Sequence, residues 1–238
     1  MAGIWKRKRV QPYVSAVIAA GGSSQRMGEN KLLYELDGIP VLARTLAAFE
    51  ACELVQEIIL VAKSDLVVEY SRVCTDFGMA KVTKVIAGGK TRAESVLRGV
   101  REVNEKCAYI CVHDAARPLV LPEEVERVCA AAFEQVAAVA VAPIRDTVKR
   151  VTDGRIRETV DRDTLRAAQT PQVAEAKILE GALTRALEAG EAPTDDSGAL
   201  EALGVRPVAV ECSACNIKLT TPEDLIFAAA VLAAREGC

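Results

Sequence analysis

Residues 13–31 read YVSAVIAAGGSSQRMGENK. Tyr13–Ala20 is apolar throughout apart from Ser15, the pattern of a strand buried on both faces. The run ends at Gly21-Gly22, and the polar loop after it holds Arg26 and Lys31. Glycines let backbone N–H groups come close to a ligand, and the two cations supply charge for anionic oxygens. The loop is neither standard phosphate motif. Gly28 is followed by Glu29, which rules out G-x-x-x-x-G-K-[ST], and Gly21-Gly22 lacks the spacing of G-x-G-x-x-G.

Beyond this loop, apolar runs alternate with helix-period segments. The reading places helices at Val41–Ala51, Ser64–Asp76, Thr91–Asn104 and Pro122–Gln135, the last with proline in its first turn. Strands fall at Glu57–Val61, Lys81–Ile86, Tyr109–His113 and Ala137–Ala142. Strand–helix alternation predicts an α/β fold in three layers, a mostly parallel sheet flanked by helices. Ligands in such folds bind beyond the carboxyl ends of the strands, which selects the loops 21–31, 87–92 and 113–118.

The alternation then breaks. Residues 144–163, IRDTVKRVTDGRIRETVDRD, hold two short alternating segments around Asp153-Gly154, a hairpin signal. Their charge leaves too few apolar positions for burial on two faces. An antiparallel β-arm at about 145–168 is expected to project from the body and to lean on a second subunit. After it come a return strand at Ala167–Val173, helices at Ala176–Glu188 and Asp195–Leu203, short strands at Arg206–Glu211 and Asn216–Leu219, and a closing helix at Pro222–Arg235. The whole, 1–238, reads as one domain with an arm and a basic N-terminal tail at 1–12.

Composition excludes several classes. The formal net charge of −3 argues against a sequence-independent nucleic-acid binder but leaves room for a local basic pocket. No apolar run reaches membrane-spanning length, and no hydrophobic signal core follows the basic start. Most of the eight cysteines sit in apolar runs and read as small buried residues in a reducing cytoplasm. Cys212 and Cys215 have C-x-x-C spacing, but the second half of a zinc site is missing.

Three further motifs join the first loop. In residues 87–99, AGGKTRAESVLRG, Gly88-Gly89 ends a strand, and Arg92 and Ser95 share a helix face toward the cleft. Thr91 with Glu94 also fits a simple helix cap. In VHDAARPLV, 112–120, Asp114 ends a buried strand, where an acid can hold Mg²⁺ or a ribose hydroxyl; Arg117 follows. His113 reads as a hydrogen-bonded structural histidine. In CNIKLTTPEDL, 215–225, Lys218 lies in an expected strand before a helix start. Cations without an evident protein nucleophile suit phosphoryl or nucleotidyl transfer, where charge stabilisation and positioning do nearly all the catalysis.

Taken in order, AAGGSSQRMGENK, GGKTRAESV, HDAARP, PIRDTVKR, TVDRDTLRAAQTPQ, TDDSGALE and NIKLTTPEDL resemble the 2-C-methyl-D-erythritol 4-phosphate cytidylyltransferases, within the GT-A-like nucleotidyltransferases. The resemblance runs from about Tyr13 through nearly the whole chain. It implies a Rossmann-like nucleotidyltransferase that moves CMP from CTP to methylerythritol 4-phosphate in non-mevalonate isoprenoid synthesis, with Mg²⁺ or another divalent cation. The loop from Ala20, Gly21 and Gly22 to Lys31 would wrap the triphosphate, with Arg26, Lys31 and Lys218 as catalytic cations. Gly89, Arg92 and Ser95 would meet the cytidine. Asp114 would lie near ribose, acceptor and metal, with Arg117 beside it and Thr170 in the matching T-P-Q turn. Thr147 and Arg162 would bind the acceptor across a homodimer interface. The chain departs from the pattern at Asn30-Lys31-Leu32, where many members carry Pro-Lys-Gln. Ribitol-5-phosphate cytidylyltransferases share part of the pattern and form the alternative, with other sugar-phosphate nucleotidyltransferases behind them.

Overall fold

The structure is a computed structural model and describes residues 11–22 and 30–236. The first strand, β1 (Val14–Ala20), is followed by a two-residue-per-strand hairpin, β2 (Glu35–Leu36) and β3 (Ile39–Pro40). Then come α1 (Val41–Ala51), β4 (Val55–Ala62), α2 (Val67–Asp76), β5 (Val82–Ala87), α3 (Arg92–Arg101) and β6 (Tyr109–Asp114). The second half holds α4 (Pro122–Gln135), β7 (Ala137–Pro143), the arm strands β8 (Val148–Thr152) and β9 (Arg155–Val160), and β10 (Arg166–Glu175). The chain closes with α5 (Ala176–Glu188), α6 (Asp196–Ala202), β11 (Val208–Glu211) and α7 (Pro222–Glu236).

The main sheet has seven strands in the order β11-β7-β10-β6-β1-β4-β5. Every neighbouring pair is parallel except the two made by β10, which runs against both β6 and β7. From β1 the chain winds outward to β4 and β5, then returns to place β6 on the other side of β1. That reversal opens a crevice between the ends of β1 and β6. One face is covered by α1, α2, α4 and α7, the other by α3, α5 and α6. The α3 helix lies close on β1, because a Cβ at Gly99 would come within 2.5 Å of Val17 Cγ1. Among the described residues no helix is long and apolar enough to cross a membrane.

The expected hairpin forms where Asp153-Gly154 placed it, with both residues at positive φ (52° and 71°) as a tight two-residue turn requires. The same dipeptide, Asp37-Gly38, turns β2 into β3 with φ of 51° and 71°. That hairpin escaped the sequence reading because two-residue strands show no periodicity. The segment Ser64–Asp76 opens on a 3₁₀ turn, Ser64–Leu66, before α2 begins. Residues Asn216–Leu219 are not a strand. Their groups bond to loops instead of a ladder: Leu219 N–H donates to Ala116 O at 2.8 Å, and Asn216 Nδ2 donates to Thr170 O at 2.8 Å. Lys218 therefore stands on an irregular segment stitched across the end of β6.

Candidate active site

Two adjoining cavities lie at the carboxyl ends of the parallel strands. The larger, of about 520 Å³, runs from Gly21-Gly22 after β1, past Lys63 after β4, to Gly89 before α3. The smaller, of about 300 Å³, is bounded by Arg117, by Gln169, Thr170 and Gln172 of β10, and by Asp195. Arg92, Asp114 and Lys218 line both. The structure thus brings Ala20, Gly21, Gly22, Lys31, Gly89, Arg92, Ser95, Asp114 and Lys218 into the first chamber, and Arg117 and Thr170 into the second.

The shared wall is an ion cluster. Arg92 Nε donates to Asp114 Oδ1 at 3.0 Å, while Lys218 Nζ donates to Asp114 Oδ2 at 2.8 Å. The two terminal nitrogens of Arg92 grip Asp196 in a fork, at 3.0 and 2.8 Å. Burial disfavours the Asp114 carboxylate, but Arg92 and Lys218 outweigh it and hold the group ionised, below the ordinary carboxylate range. Arg92 is partly buried, and the two acids raise its pKa despite that. Asp196 is 1 % exposed, and burial pushes its carboxyl up against the pull of Arg92. Arg117 Nη1 donates to Asn216 O at 2.7 Å and its Nε lies 3.9 Å from Asp114, with burial drawing its pKa down.

The loop before α3 folds down on the start of that helix. Thr91 caps the helix by accepting from Glu94 N–H at 3.1 Å, as its position in the sequence suggested. Ser95 Oγ donates to Thr91 O at 2.8 Å and accepts from Gly89 N–H at 3.0 Å. A Cβ at Gly89 would sit 2.4 Å from Glu94 Cβ, so only glycine lets the loop fold down on the helix start. Across the cleft, Lys31 Nζ donates to Leu219 O at 2.7 Å and ties the first loop to the Lys218 segment.

His113 is structural, as expected. It is fully buried and packs against Phe49, with ring centroids 4.9 Å apart. Thr170 Oγ1 accepts from Asp114 N–H at 3.2 Å and stands 2.9 Å from His113 Nδ1, while His113 Nε2 faces Arg117 O at 3.3 Å. The hydroxyl therefore donates to Nδ1, and the proton sits on Nε2. Burial lowers the imidazole pKa to about 3, so the ring is neutral.

Asp114 does not fit the role of direct metal ligand. Both of its oxygens are taken by cations, and the described residues hold no cluster of three His, Cys, Asp or Glu able to bind an ion. Thr147 and Arg162 stay outside the cleft of their own chain. Both are exposed at the base of the arm, where Arg162 Nη1 donates to Arg145 O. Arg26 lies outside the described residues. Reading the sequence missed Asp196, whose only signal was an acidic pair at the start of α6. The first of that pair, Asp195, is the helix cap, and it hides the second. The cavity-lining Lys63 and Lys90 also went unremarked.

A mostly parallel sheet with a cationic double chamber at its reversal point, and a neutral histidine turned away from both, defines a nucleotidyltransferase. The profile of the 2-C-methyl-D-erythritol 4-phosphate cytidylyltransferase family matches residues 14–234, and the chain belongs to that family. It is 38% identical to the enzyme of that name from Halalkalibacterium halodurans, over 93% of this chain and 98% of the relative. The Syntrophus aciditrophicus enzyme of the same name is also 38% identical, covering 96% and 99%. Among solved structures, the Anaerococcus prevotii 4-diphosphocytidyl-2C-methyl-D-erythritol synthase superposes with a TM-score of 0.84 at 28% identity, covering 94% and 97%.

Proposed function

We propose that the larger chamber holds CTP and the smaller one the sugar phosphate, so that the reacting groups meet over the wall of Arg92, Asp114 and Lys218. Family membership makes the reaction the transfer of CMP from CTP to 2-C-methyl-D-erythritol 4-phosphate, with loss of pyrophosphate, in non-mevalonate isoprenoid biosynthesis. The observation that carries the residue assignment is the shared wall: the same three side chains line both cavities.

In this reading the acceptor phosphate attacks the α-phosphorus of CTP in line. A phosphate monoester has a second pKa near ~6, so it arrives as an anion and needs no protein base. Lys31, Lys218 and Arg26 meet the charge that builds on the α-phosphate and leaving pyrophosphate. Asp114 is the anvil for two of the cations: ionised and buried, it fixes Arg92 and Lys218 without taking a proton. A divalent cation brought by the nucleotide would neutralise charge on its phosphates and ease the departure of pyrophosphate. Gly89, Arg92 and Ser95 lie on the cytidine side, and Arg117 and Thr170 on the acceptor side. Thr147 and Arg162, remote from their own cleft, serve the acceptor chamber of a second subunit in a homodimer. The seven described cysteines are all free thiols, which suits the cytoplasm.

The test crosses CTP, UTP, GTP and ATP with methylerythritol 4-phosphate and ribitol 5-phosphate, and follows pyrophosphate. Release is expected with CTP and methylerythritol 4-phosphate alone. Equal release with ribitol 5-phosphate would overturn the acceptor, and equal release with UTP the nucleotide. For the arm, mixing inactive Lys31→Ala and Arg162→Ala proteins should restore activity, because one mixed site is then intact. Lack of restoration in a verified mixed dimer would place Arg162 in its own subunit.

A further inference from the structure

Lys31 reaches the cavity from a short turn, and two anchors fix that turn from behind. On one side Leu32 is buried, 5 % exposed, and its carbonyl accepts from Leu42 N–H at 2.9 Å. On the other side stands Asn30. Its backbone carbonyl accepts from Leu33 N–H at 2.9 Å, which closes the turn around Lys31. Its side-chain oxygen accepts from Leu32 N–H at 3.3 Å and from the hydroxyl of Tyr70 at 3.0 Å. Two donors converge on one atom, so that atom is the amide oxygen.

Tyr70 belongs to α2, is 1 % exposed and lines neither chamber. A buried phenol needs a partner for its O–H, and here the partner is Asn30. The chain of contacts is short: Tyr70 hydroxyl, Asn30 side chain, turn, Lys31 ammonium, Leu219 carbonyl. It joins α2, which lines neither chamber, to Lys31 at the edge of the larger one. With Leu32 pinned on one side alone, the turn could pivot about that single anchor.

We propose that Tyr70 is a positioning residue for cytidylyl transfer, fixing through Asn30 the turn that aims Lys31 at the reacting phosphates. The inference rests on the reading of Lys31 as a transition-state cation. A misplacement of about 1 Å can cost on the order of a hundred-fold in rate, and the cost falls on kcat when the contact forms mainly in the transition state.

The experiment compares steady-state kinetics of Tyr70→Phe, Asn30→Ala and their double variant with Lys31→Ala, with melting temperatures alongside. Tyr70→Phe and Asn30→Ala should each lower kcat by roughly ten-fold or more, leave KM for CTP within about two-fold, and fail to multiply in the double variant. Parental kcat in Tyr70→Phe, or losses that multiply, would overturn the positioning role. Loss of stability without loss of kcat would reduce Tyr70 to a packing residue. Asn30→Ala sits in a turn, and it keeps the test open should Tyr70→Phe fold poorly. If Lys31→Ala itself keeps parental kcat, the assignment of Lys31 falls, whatever Tyr70 does. If Lys31→Ala is inactive while Tyr70→Phe is parental, the positioning role alone falls.

Discussion

In the cleft, Asp196 is 1 % exposed and holds Arg92 with both oxygens; on the arm, Arg150 pairs with Glu158 while more than half of each side chain stays in water. The bonds are similar and the consequences are not. Ions taken out of water are stable only while every partner is present, and removing one leaves the other stranded at a cost of several kcal/mol. Ions left in water are screened and lose side-chain entropy on pairing, so they contribute little. The cleft cluster thus holds its side chains in one fixed arrangement. The arm's ion pairs cannot account for its order, and its exposed Val151 and Ile156 leave apolar surface available to a partner.

The strongest way to break this contrast is Asp196→Ala. It should cost about 3–5 kcal/mol in urea unfolding, because the partly buried Arg92 is left without its fork. A cost below about 1 kcal/mol would make the cleft cluster no different from a surface pair. Next, Lys31→Ala should raise the barrier to transfer by ~2.7–4 kcal/mol, seen as a hundred- to thousand-fold loss in kcat at little change in unfolding free energy.

A third measurement uses His113, the only histidine of the chain. The folded state keeps the ring neutral down to about 3, whereas the unfolded chain takes up a proton near pH 6.5. The unfolded state therefore binds more protons in that interval, and stability falls as pH drops below 6.5. The loss should reach about 2 kcal/mol at pH 5 and vanish in His113→Gln. Asp114, with its lowered pKa, loses stability only below the ordinary aspartate range. Asp196, with its raised pKa, acts in the opposite sense as its carboxyl protonates. Subtracting the His113→Gln profile from the parental one between pH 5 and 6.5 isolates the histidine. A flat difference there would contradict a buried neutral ring. The smallest effect belongs to the arm: Arg150→Ala should change unfolding by about 0–1 kcal/mol, and a larger loss would show the exposed pair to be structural.

Much of the scaffold was legible because burial writes itself into periodicity. The helices Val41–Ala51, Pro122–Gln135 and Ala176–Glu188 have the expected boundaries, each set by a proline, a charge change or the end of an apolar run. Lys218 was recognised but misplaced on a strand. Its segment is apolar and β-prone, and only the competition for partners at the end of β6 shows that its hydrogen bonds go elsewhere. Asp196 was invisible as a site residue because a carboxylate in a first helical turn usually serves the helix dipole. Its approach to Arg92, 104 positions away, has no local signature.

What the sequence determined by itself is the alternation of strand and helix, the glycine-and-cation loops at strand ends, the turning point at Asp153-Gly154 and, through seven motifs in order, the family. These are local, written by side-chain periodicity and by residues with restricted or unusual backbone freedom. What only the tertiary structure decided is which charges meet. Three cations converge on Asp114, Asp196 closes behind Arg92, and Tyr70 stands behind Asn30 and Lys31. Such pairings join residues far apart in the chain. They form because buried charged and polar groups must find partners, and the folded topology alone fixes which partners lie within reach.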